Sequence, residues 1–95
     1  MQRSQLEYIL EHSHDDYLEF DRIELKFSMR PDLHAFILLD SLVPGKQDII
    51  SAAEHDQYWL DIDLDQLASV ISERDVIDLV RCGVRLDEEA LSLFT

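Results

Sequence analysis

The segment IISAAEHDQYWLDI, residues 49–62, decides the class of fold. Two runs, Ile49 to Ala53 and Tyr58 to Ile62, flank the polar tetrapeptide EHDQ, which is the pattern of a β-hairpin. In the second run Tyr58, Leu60 and Ile62 share one parity and are expected to face the core, while Trp59 has the opposite parity.

Downstream of the hairpin the spacing changes from two to that of a helix. Asp63 with Gln66 reads as a capping box for a helix carrying Leu64, Leu67, Val70 and Ile71. Ser72 and Asp75 begin another, with Val76, Ile77, Leu79 and Val80 on its apolar face. Gly83 ends it, and Arg81 in its last turn complements the helix dipole. The tail ALSLF, residues 90–94, follows the polar DEE and predicts an edge strand.

Upstream, Ser4 and Glu7 form a capping box for a first helix that runs to about residue 13 and presents Leu6, Ile9 and Leu10. From Arg22 to Met29, Ile23, Leu25, Phe27 and Met29 alternate with Arg22, Glu24, Lys26 and Ser28, and this predicts a half-buried strand. Leu18 and Phe20 fall on the other parity, so a turn or bulge near Asp21, or a longer first helix, is expected there. Pro31 and Pro44-Gly45 bracket residues 32–43, where Leu33, Phe36 and Ile37 predict a helix, although AFILL also suits a buried strand. The expected architecture is a single acidic α+β domain over residues 1–95. An antiparallel sheet of about four strands carries helices packed on it, in the order α-β-α-β-β-α-α-β.

With 95 residues, 46% of them apolar, the chain suits one core rather than two domains. The 21 acidic against 8 basic residues give a formal charge of −13, which repels nucleic acid and anionic lipid and favours a basic partner. Cys82 is the only cysteine, so no intramolecular disulfide is expected and a reducing, cytoplasmic setting fits. The longest apolar run, AFILL, is too short to span a bilayer, and MQRSQLEYIL lacks a signal-peptide layout.

The stretch EHSHDD, residues 11–16, gathers His12, His14, Asp15 and Asp16, side chains that a metal-dependent hydrolase uses. Residues two apart on a helix point about 200° away from each other, so His12 and His14 share a metal only on an extended backbone. His34 and His55 are isolated, and no HExxH, CxxC, P-loop or dinucleotide fingerprint is present, so no metal or cofactor is expected. Glu54-His55-Asp56 invites an acid/base reading, but a hairpin turn accounts for the same residues. Cys82 reads as a small buried hydrophobe. The paired helices between 64 and 82 have a helix-turn-helix outline without the basic footprint of a DNA reader.

No Lys or Arg occurs between Lys46 and Arg74, while Asp48, Glu54, Asp56, Asp61, Asp63, Asp65 and Glu73 all fall there. On a continuing strand Asp61 and Asp63 would stand about 6–7 Å apart on the face opposite Leu60 and Ile62. The expected function is a non-enzymatic acidic binding module whose partner-binding residues are Glu54, Asp56, Trp59, Asp61, Asp63 and Asp65. Its expected partner is a basic protein, such as a nucleic-acid-binding protein that it regulates or inhibits by imitating the phosphate backbone. The alternatives are a small metal-dependent hydrolase using the histidine cluster and an oligomerising accessory subunit, a homodimer around an apolar patch near Trp59.

Overall fold

The computed structural model describes residues 1–94. In chain order they form α1 (Arg3–His12), two short 3-10 turns (His14–Asp16 and Phe20–Arg22), α2 (Pro31–Leu42), β1 (Ile50–Glu54), β2 (Gln57–Leu60), α3 (Leu64–Val70), α4 (Glu73–Arg81), β3 (Val84–Asp87) and β4 (Ala90–Phe94). The strands make one antiparallel sheet in the order β1-β2-β4-β3. The expected class, an α+β domain with a four-stranded antiparallel sheet, is therefore the one observed among the described residues.

The hairpin forms as its sequence predicts, with His55 and Asp56 at the turn. Register then separates the two faces of the sheet. Leu60 pairs with Leu91 and Leu91 with Leu86, while Tyr58 pairs with Leu93 and Leu93 with Val84. These rows face the helices and join Leu6, Leu39, Leu67 and Leu79 in the core. The intervening row, Trp59, Ser92 and Arg85, lies on the opposite face.

Local chemistry sets the helix boundaries. The Asp63 carboxylate accepts from the Asp65 and Gln66 amides, and the Ser72 hydroxyl accepts from the Asp75 amide, so both expected caps are made. At the end of α4, Gly83 takes φ +101°, where a Cβ would stand 3.0 Å from the Phe94 carbonyl oxygen and 3.1 Å from a Leu18 methyl. Only glycine suits that combination of backbone conformation and close approach. The Phe94 amide donates to the Gly83 carbonyl at 3.2 Å, which ties the end of β4 to the turn before β3.

Several expectations need correction. The strand expected over Arg22–Met29 does not form, and the fourth strand is instead Val84–Asp87. Among the described residues no strand pairs with residues 23–30 to complete a ladder. The Phe27 amide donates instead to His34 Nδ1, and Lys26 Nζ donates to the Ile23 carbonyl. The tail strand is not an edge, because β4 lies between β2 and β3. Helix α1 starts two residues early, with Gln2 rather than Ser4 as N-cap and no side-chain cap, so the Ser4 capping box is not made. On α2 the buried side chains are His34, Ala35, Leu38 and Leu39 rather than the expected Leu33, Phe36 and Ile37. The helix is apolar nearly all round, so its stripe does not fix its orientation; Asp40, one turn beyond Ile37, draws that face toward solvent.

Candidate functional site

Five of the six residues expected to bind a partner are carboxylates, and they fall at opposite ends of the hairpin, two at its turn and three between its open end and the start of α3. Glu54 ends β1, Asp56 sits in the turn, Asp61 follows β2, Asp63 caps α3 and Asp65 is in its first turn; all five are exposed. Because β2 stops at Leu60, Asp61, Asp63 and Asp65 cross from a strand end to a helix start instead of forming a row along a continuing strand, and the length of β2 separates them from Glu54 and Asp56. Asp63 directs one oxygen to the amides of α3, and Asp65 stands 3.5 Å from the Arg3 guanidinium. Glu54, Asp56, Asp61 and Asp63 have no ion-pair partner among the described residues.

Trp59, the sixth, is half-buried on the outer face of the sheet. Its Nε1 donates to Asp87 Oδ2 at 2.8 Å, and Gln57 Nε2 reaches the same oxygen at 3.3 Å. Exposed large apolar side chains include Leu25, Phe27 and Met29 before α2 and Leu33 and Ile37 on it, besides Tyr8, Leu18, Ile50 and Val70.

The histidine stretch disperses. At the end of α1 the His12 ring stacks on Tyr8 at 4.0 Å, with Nδ1 2.9 Å from the Tyr8 carbonyl oxygen. His14 opens the first 3-10 turn and lines a cavity of about 410 Å³ together with Glu11, Tyr17 and Arg85. Asp15 is exposed. Asp16 turns to the protein, where its Oδ1 accepts from Arg81 Nε at 3.2 Å and Nη2 at 3.1 Å. No group of three or more His, Cys, Asp or Glu arranged to hold a metal ion occurs among the described residues.

Two features, the Arg81 network and the His34 contact, depend on tertiary packing that the local pattern does not display. Arg81 also donates through Nη1 to Asp78 at 3.0 Å, so one guanidinium holds two shielded carboxylates and pins the first 3-10 turn to α4. His34 is 2% exposed and accepts the Phe27 amide at 3.0 Å, with the Phe27 ring stacked on it at 5.2 Å. Burial lowers its pKa, and nearby Lys26 acts the same way, while Asp78 and Asp75 oppose the shift. Burial likewise pushes the Cys82 thiol up to about 12, aided by Asp78 and Asp32, so it packs as the inert small side chain that the sequence suggests.

No family model, curated protein or solved structure matches the chain. Among the described residues no helix is long and apolar enough to cross a membrane.

Proposed function

We propose that this domain is a non-enzymatic binding module that presents carboxylates to a basic protein. The observation that carries the reading is the set of exposed carboxylates at the two ends of the hairpin, Glu54 and Asp56 at the turn and Asp61 and Asp63 beyond β2, which no cation of the chain neutralises among the described residues. Uncompensated like charges repel one another, and a positive surface relieves that repulsion while the field speeds its approach. A nucleic-acid-binding protein, whose basic face is built for phosphates, is the partner class that best fits a regulator or inhibitor of this charge. A reducing cytoplasmic setting accords with the single buried thiol. The hydrolase reading has less support, since His12, His14 and Asp16 turn to different partners.

The test is affinity capture from host extract on the wild-type domain and on a D61N/D63N/D65N form, followed by mass spectrometry and binding kinetics in rising salt. Asn is itself a good helix cap, so the variant keeps α3. Basic proteins should be retained by the wild type and lost from the variant, with association slowed as salt screens charges beyond about 8 Å. Identical retention by both forms at low and high salt would refute the reading.

One observation favours a second reading, that of an oligomerising subunit. Leu25 and Met29 are 83% and 78% exposed beside Phe27, and apolar surface of this kind is characteristic of contact sites. Sedimentation across a wide concentration range decides it: a mass that stays monomeric removes the homodimer.

A further inference from the structure

The outer face of the sheet carries polar groups that the hairpin-end carboxylates do not use. Ser92, on the central strand β4, stands in register between Trp59 of β2 and Arg85 of β3. It is 0% exposed, and its Oγ makes no hydrogen bond among the described residues. A buried hydroxyl without a partner costs about 1–3 kcal/mol, and most such groups in folded proteins have one. Ser92 lines a depression of about 300 Å³ with Gln57, Arg85, Leu86, Asp87 and Phe94.

Two opposite charges flank that hydroxyl with bonding capacity to spare. The Arg85 guanidinium has no hydrogen bond or ion pair among the described residues and lies over the rings of Tyr17 and Phe94, 5.2 and 5.9 Å from their centroids. Asp87 lies two residues further along the same face of β3. Its Oδ2 accepts from Trp59 and Gln57, whereas Oδ1 accepts from neither. Alternate residues on one strand face stand about 6–7 Å apart, so Arg85 and Asp87 bring a cation and an anion to the lining of one depression that Ser92 also lines. Phe94, of the same parity as Ser92, supplies an apolar wall.

A simple anion placed there meets the Asp87 carboxylate, and a simple cation meets Arg85; a zwitterion satisfies both. We propose that this depression binds a free α-amino acid with an apolar side chain. Arg85 and the Ser92 hydroxyl donate to the α-carboxylate, the α-ammonium donates to Asp87 Oδ1, and the side chain packs on Phe94. Arg85 is exposed and held by no hydrogen bond, so it turns to the carboxylate without breaking a protein contact of that kind. The site is independent of the hairpin-end carboxylates and stands or falls without them.

The experiment is a titration of the isotope-labelled 95-residue chain with L-leucine, L-phenylalanine, N-acetyl-L-leucine, L-leucine methyl ester and inorganic phosphate. It follows the amides of Arg85, Asp87 and Ser92 and the Trp59 indole N–H by NMR. A free amino acid should give a saturable shift, and each singly charged form should bind at least about tenfold more weakly, equivalent to about 1.4 kcal/mol. Arg85→Gln, at an exposed position, and Ser92→Ala, which removes the unpartnered hydroxyl, should both weaken binding while leaving the rest of the spectrum in place. Asp87→Asn should remove the preference for leucine over N-acetyl-leucine. The proposal is overturned by the absence of a saturable shift up to about 20 mM, beyond the weakest specific binding of interest. It is equally overturned by wild-type affinity in Arg85→Gln, or by phosphate or N-acetyl-leucine binding as well as leucine.

Discussion

Residues 22–29 and residues 90–94 both carry apolar side chains at alternate positions, yet one segment is irregular and the other is a central strand. In RIELKFSM the apolar residues Leu25, Phe27 and Met29 end exposed, and only Ile23 is buried. In ALSLF, Leu91 and Leu93 are fully buried. The difference lies in what stands beside each segment. Strand β4 follows β3 through the short turn at Glu88 and Glu89, and β2 already offers it an open edge. Residues 22–29 run directly into the helix that Pro31 begins and meet no edge at all. Alternation marks a segment that is able to be a strand, and a neighbour with free amides and carbonyls makes it one.

The largest effect should come from β4. Leu93→Ala removes a fully buried side chain from the row shared with Tyr58 and Val84, and about 3 kcal/mol of stability should be lost in urea or thermal unfolding. A loss below about 1 kcal/mol would mean that β4 is packed no better than the irregular segment.

Next comes the guanidinium that holds the first 3-10 turn to α4. Arg81→Met leaves Asp16 and Asp78 without their shared cation, and roughly 2 kcal/mol should be lost, less than a fully buried pair would cost because the group keeps some solvent contact. Hydrogen exchange should accelerate most over residues 14–22. Uniform acceleration across the sheet would show instead that the ion network acts on the whole core.

Acid should release the irregular segment selectively. The His34 pKa is lowered in the folded state by burial, so the unfolded chain binds the proton more readily. The contribution of neutral His34 is complete above its ordinary value of 6.5 and is lost as pH falls through the lower folded value. Protonated His34 has no acceptor for the Phe27 amide, so that amide should lose protection first. His34→Gln should flatten the pH dependence; an unchanged profile would assign the acid sensitivity to other groups. The smallest effect belongs to the exposed apolar residues: Leu25→Ser with Met29→Ser should change monomer stability by no more than about 0.5 kcal/mol. A larger loss would place these side chains inside a contact that the isolated chain does not display.

The sequence made much of the fold legible where the information is local. The hairpin turn, the Asp63 and Ser72 caps and the Gly83 stop each depend on residues within a few positions of one another, and all are made. What escaped depends on tertiary packing. Val84–Asp87 is a strand because β4 pairs with it, and only two of its side chains are apolar. The Arg81 network joins residues 65 apart, and His34 meets Phe27 only because residues 23–30 pack across α2. Of the candidate sites, the acidic set was visible as a gap in the distribution of cations. The Ser92 depression was not, since its charges come from β3 and its hydroxyl from the strand expected at an edge.

The position of β4 between β2 and β3 also bears on how the chain is made. Synthesis delivers the hairpin, both later helices and β3 before residues 90–94 leave the ribosome, yet neither β2 nor β3 has its ladder partner on that side until they do. Until then the nascent chain carries two unfinished strand edges and an uncovered apolar face, the features through which incomplete chains associate. Completion of the sheet is therefore a late step that follows the emergence of ALSLF from the ribosome.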